Sequence, residues 1–137
     1  VAEENVQALG LENQVNLLYS DLFEALDGRT YDIIVSNPPY VDQDDMDALP
    51  DEYHHEPRMG LEAGIDGLDI VRRMLPELSR HLNPGGIVVI EVGNSMVALE
   101  EAYPGVPFTW IEFDRGGHGV FVLTKEEIDH HQADLVL

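Results

Sequence analysis

The stretch Tyr31-Asp32-Ile33-Ile34-Val35-Ser36-Asn37-Pro38-Pro39-Tyr40 constrains this chain more than any other. Its first six residues form a continuous run between Gly28 and Pro38, as expected of a β-strand covered on both faces. Two prolines then end it, because neither donates a backbone N–H and Pro39 forces Pro38 toward extended geometry. A buried strand stopping so abruptly belongs to an α/β sheet, in which ligands sit beyond the carboxyl ends of the strands.

The flanking elements agree with that plan. Val1 to Gly10 reads as the back of a helix with Gly10 at its stop, and Val15 to Tyr19 as a short β-rich run left at Ser20-Asp21-Leu22. From Asp66, the residues Leu68, Val71, Met74, Leu75, Leu78 and Leu82 fall on one helical face, with Asn83-Pro84-Gly85-Gly86 as a stop and Pro76 as a kink or split. Ile87 to Val92 is a second buried strand, Ser95 to Tyr103 a short helix, Phe108 to Phe113 a further strand and Gly119 to Thr124 the last. Asp114 to His118 joins those two strands as a hairpin loop, and the tail from Lys125 reads as a frayed helix. Parallel strands finished by an antiparallel hairpin define an α/β class. Residues 41 to 64 form a long loop, of the kind that carries function in compact domains. Asp21, Asn37 to Tyr40 and Gly93-Asn94 share one rim of the sheet.

The turn after the strand offers oxygens and no competing donors. The Asn37 side-chain oxygen and the Pro38 carbonyl can accept both hydrogens of a planar NH2 group, while the Tyr40 ring packs on its plane. Such a grip suits an amide or an exocyclic base amine. It aligns a poorly available nitrogen lone pair with an electrophile by positioning and electrostatic preorganisation, and no strong base is required.

Composition narrows the partners. Seven Lys+Arg against 27 Asp+Glu give a formal charge of −20 in 137 residues, so nucleic acid and anionic membranes are disfavoured and a basic protein is favoured. No membrane-length apolar run and no signal pattern occur. Without cysteine there is no disulfide framework or thiolate site, which points to the cytoplasm. No metal site is expected: Asp42 to Asp47 lacks the ligand and glycine of a calcium loop, while His54-His55-Glu56 and Asp129-His130-His131 lack further ligands. Phe108, Trp110 and Phe121 read as core. An enzyme that acts on the exocyclic amine of adenine or cytosine, and a non-catalytic acidic module that recruits a basic protein, are the alternatives that this chemistry leaves.

Asn37-Pro38-Pro39-Tyr40 resembles the turn of amino methyltransferases that use S-adenosylmethionine. Residues 49–61 (from Leu49-Pro50-Asp51), Gly64 to Leu68, Glu91 to Ser95 and Phe108 to Asp114 are similar to the bacterial protein-glutamine N5-methyltransferases, in the branch that modifies ribosomal protein L three. The resemblance implies that Asn37, Pro38 and Tyr40 are catalytic and that Pro39, Glu56 and Pro57 join them in holding the substrate glutamine. It further implies that Asp21, Leu22 and Asn37 meet the cofactor, and that the substrate is a basic ribosomal protein. Family members begin with a strand, a glycine-rich loop and a second strand that have no counterpart here. Residues 1–137 therefore look like the carboxyl-terminal part of one Rossmann-like methyltransferase domain, with its first two strands missing and most of its cofactor cradle lost. Val15 to Tyr19 is then expected to be rearranged, disordered or swapped into a homodimer.

Overall fold

The computed structural model describes residues 1–38 and 67–136. Among these, four strands form one sheet: β1 (Tyr31–Ser36), β2 (Leu82–Glu91), β3 (Thr109–Trp110) and β4 (Val120–Thr124), in the order β1-β2-β4-β3. β1 runs parallel to β2, whereas β4 is antiparallel to both β2 and β3. Helices α1 (Ala2–Ala8), α2 (Asp69–Met74), α3 (Met96–Ala102), α4 (Lys125–His130) and α5 (Gln132–Leu135) complete the described chain together with short 3-10 turns.

The anticipated helical face is real. Leu68, Val71, Met74, Leu75, Leu78 and Leu82 are all buried. The helix itself divides at the proline, since α2 stops at Met74 and gives way to 3-10 turns at Leu75–Glu77 and Ser79–His81. A ring nitrogen without hydrogen at Pro76 removes one backbone bond, and the tighter turn accommodates the loss. These residues join Val88 and Ile90 of β2, Phe121 and Leu123 of β4, Leu99 of α3, Ile128 of α4 and Leu135 of α5 in one cluster. Phe108 and Trp110 pack against it, with the Phe108 and Phe121 rings 4.9 Å apart edge to face.

All of that cover lies on one side of the sheet, and this corrects the expectation for β1. Ile34 packs against the core, but Ile33 and Val35 on the opposite face are 59% and 73% exposed. Side chains alternate across a strand, so a single helical layer can bury only every second residue. Val15 to Tyr19 forms no strand, which is the rearranged outcome among those expected of it. It runs as irregular chain outside the sheet, with Tyr19 fully exposed. A β-rich run needs a partner for its backbone groups, and the outer edge of β1 is not used by it.

Three smaller corrections have local causes. β2 begins at Leu82 rather than Ile87, because Asn83 to Gly86 form a bulge: two steps along β1, from Tyr31 to Ile33, match five along β2, from Leu82 to Ile87. Only Thr109–Trp110 of the Phe108 to Phe113 run is a strand; the Phe108 N–H turns back to Val106. The tail is ordered, not frayed. Thr124 and Glu127 form a reciprocal capping box at the start of α4, and Ile128 and Leu135 are buried. Such a cap contributes about 1 kcal/mol.

Candidate active site

The carboxyl rim of the sheet gathers the chemistry. The Ser36 hydroxyl, at the end of β1, faces the helical layer and lies 3.9 Å from the Met74 sulfur. Alternation then sends Asn37 to the open face, where it is exposed, and returns Pro38 to the buried side. The Asn37 amide is thus presented outward on a backbone anchored by its neighbours on either side. Pro39, Tyr40, Glu56 and Pro57, which the sequence assigned to the substrate, lie outside the described residues.

β2 ends beside this turn. Ser36 is paired with Ile90, so Asn37 stands one step further, level with Glu91. The next two N–H groups, of Val92 and Gly93, both donate to the Gly119 carbonyl at 2.7 and 3.2 Å. Gly93 and Gly119 have φ of 55° and 78°, and they touch so closely that a Cβ on Gly119 would lie 2.5 Å from the Gly93 Cα. The His118 imidazole, through its Nε2–H, reaches the Asn94 side-chain oxygen at 2.7 Å. The glycine-containing loop from Asp114 is therefore clipped to the end of β2 by backbone and side chain together. Sequence reading placed Gly93 and Asn94 on the rim but missed their links to Gly119 and His118. The glycines themselves were the available signal, yet partners so far apart in sequence become visible only through strand register.

Asp21 and Leu22 precede β1 and pack beside α2. The Arg73 guanidinium of α2 donates to the Asp21 carboxylate at 2.9 Å, and that hydrogen bond and charge raise the Arg73 pKa. Both groups are exposed, so the pair adds little stability. Leu22 has φ 54° and packs against the core. Its carbonyl accepts the Ser20 hydroxyl, whose oxygen in turn accepts the Ala25 N–H. A shallow cavity of about 300 Å³ is lined here by Asp21, Leu22, Phe23, Arg73, Glu77 and others. No hydrogen bond or ion pair among the described residues joins Asp21 or Leu22 to Asn37. What the described residues offer a cofactor here is one exposed carboxylate, shared with Arg73, beside an open cavity. Asp129 and His131 are likewise engaged, with Ser79, Lys125 and Asp134.

The parallel β1–β2 pair with Asn37-Pro38 at its carboxyl end agrees with the resemblance drawn from the sequence. Residues 1–52 match the family model described as the methyltransferase small domain. The chain is 48% identical over 128 residues to the ribosomal protein uL3 glutamine methyltransferase of Francisella tularensis subsp. tularensis. It is 49% identical over 128 residues to the proteins of the same name from Neisseria gonorrhoeae and Neisseria meningitidis serogroup A. Each match covers 93% of this chain but 41% or 42% of the relative, so the chain spans about two fifths of their length. The chain is thus similar, over nearly all of its own length, to about two fifths of the uL3 glutamine methyltransferases, and its first part to the methyltransferase small domain.

Proposed function

We propose that this chain supplies the amide-holding part of a protein-glutamine N5-methyltransferase whose substrate is a basic ribosomal protein in the cytoplasm and whose methyl donor is S-adenosylmethionine. The supporting observation is the Asn37-Pro38 turn at the carboxyl end of β1, outward at Asn37 and anchored at Pro38, in a chain so similar to the uL3 enzymes.

The chemistry assigned to the turn is local. Asn37 Oδ1 and the Pro38 carbonyl accept the two N–H bonds of the glutamine carboxamide and hold its nitrogen in one orientation. As that nitrogen begins to bond to carbon and gains positive charge, both acceptors bind its hydrogens more strongly than before. Interactions that strengthen toward the transition state accelerate the step. Tyr40, Glu56 and Pro57 are assigned to the substrate by resemblance, and Pro39 keeps the turn free of a competing N–H. Seven Lys+Arg in the whole chain leave a nucleic-acid substrate unsupported.

The test is a glutamine-containing basic peptide titrated into the isotope-labelled chain. It is expected to shift the Asn37 side-chain amide signals, whereas the same peptide with glutamate is not. Asn37→Ala should abolish binding, and in an active preparation should remove several kcal/mol of transition-state stabilisation, on the order of 10²- to 10³-fold in rate. Unchanged peptide binding by the alanine variant refutes the reading. Calorimetry should detect no tight binding of S-adenosylmethionine by these 137 residues.

A further inference from the structure

We propose that the hollow beside Glu100 takes a lysine side chain from a basic partner protein, as a docking point separate from the Asn37 turn. The hollow forms where α3 hands over to β3. Its volume is about 310 Å³, and Glu100, Tyr103, Pro104, Val106, Pro107 and Phe108 line it. That is the low end of the size range of ligand pockets and suits one extended side chain.

The walls are rigid and apolar. Tyr103 and Val106 are buried, and the Phe108 ring stands edge to face with Tyr103 at 6.4 Å and with Phe121 at 4.9 Å. Pro104 and Pro107 are exposed at the mouth, and neither has a backbone N–H or freedom in φ. The N–H groups of Tyr103, Val106 and Phe108 are spent within the chain, on the carbonyls of Leu99, Tyr103 and Val106. A lining so short of backbone donors does not suit an anion.

Glu100 supplies the charge. The Trp110 indole donates Nε1–H to Glu100 Oε1 at 2.6 Å, which holds the carboxylate in place, and among the described residues no hydrogen bond or ion pair engages the other oxygen. A carboxylate only accepts, so the complementary guest brings donors and a positive charge. The Asp134 carboxylate of α5 borders the same turn, against Gly105, and a chain of formal charge −20 draws cations toward its surface. One open oxygen suits the compact ammonium of lysine, whereas the arginine fork is best met by a carboxylate with both oxygens open. The methylene stem of the lysine lies along the prolines and Phe108 while its head stays at the exposed Glu100. β3 runs in the direction of β2 at the edge of the sheet opposite β1, and Phe108 leads into its first residue. The hollow therefore lies at the amino ends of the strands, away from the rim that carries Asn37.

Trp110 is the single tryptophan of the chain, so its fluorescence reports on the Glu100 carboxylate directly. A short acetylated and amidated peptide with one lysine and no glutamine, titrated into the whole chain, should change that emission along a saturable curve. Replacing the lysine by norleucine, which keeps the stem and drops the charge, should weaken binding about fivefold, and so should Glu100→Gln, the upper end for an ion pair open to water. Glu100→Gln keeps an oxygen for the Trp110 N–H, and near-ultraviolet circular dichroism checks that the aromatic cluster is unchanged. Glu101→Gln removes the same charge one residue away, outside the hollow, and should bind as the parent chain does. A response that does not saturate, equal binding of the norleucine peptide, or equal weakening by Glu100→Gln and Glu101→Gln overturns the proposal. Because the peptide carries no glutamine, these outcomes stand whether or not Asn37 holds a carboxamide.

Discussion

Gly119→Ala tests how the rim is built. Two penalties act at this position. The backbone has φ 78°, a region that costs a residue with a Cβ about 1 to 2 kcal/mol. The new methyl would also press on the Gly93 carbonyl oxygen and stand 2.5 Å and 2.6 Å from the Gly93 Cα and N. Those are backbone atoms that no rotamer change can move aside, and overpacking of this kind costs about 1 to 3 kcal/mol. The sum is about 2 to 5 kcal/mol, or roughly 8 to 20 °C in melting temperature for a chain of this size. Gly116→Ala separates the two parts. It shares a positive φ of 91°, but its Cβ would meet nothing within 4 Å, so about 1 to 2 kcal/mol is expected. Thermal and urea unfolding of both variants should therefore differ by the steric share alone. Equal destabilisation would show that the close approach of Gly93 and Gly119 does not hold the loop to β2.

Two further outcomes follow from the description of the fold. Thr124→Ala removes the side-chain half of the capping box on α4 and should lower stability by about 1 kcal/mol in urea unfolding; no change would mean that α4 is held by Ile128 and Leu135 alone. Replacing Ile33 and Val35 by Thr should alter stability by less than about 0.5 kcal/mol per site, because both are largely exposed, while reducing the binding of a hydrophobic dye. A large loss of stability would place cover on that face.

Much of this architecture was legible because periodicity reports burial. The apolar spacing from Leu68 to Leu82 identified a buried face before any coordinate, and Pro76 marked its division. The same logic failed at β1, since a continuous apolar run records two faces built to be buried, while the helical layer here covers one. At Val15 to Tyr19 strand propensity is satisfied only if a neighbour pairs with it, and the want of that neighbour was the ground for expecting a rearranged run. At the rim, Asn37 and Pro38 were visible as local chemistry. The links from Asn94 to His118 and from Gly93 to Gly119 were not, because they depend on register between segments far apart in sequence.

The uncovered side of the sheet has a bearing on how this chain behaves in solution. Exposed Ile33 and Val35 and their half-buried neighbours Ile87 and Val89 form a greasy strip on a polypeptide whose copies repel one another through a charge of −20. Repulsion between like-charged surfaces weakens as salt shortens the screening length from about 30 Å at 0.01 M to about 3 Å at 1 M, while attraction between apolar strips does not. Raising ionic strength should thus drive this chain from dispersed molecules toward association, and dilution into low salt should reverse it.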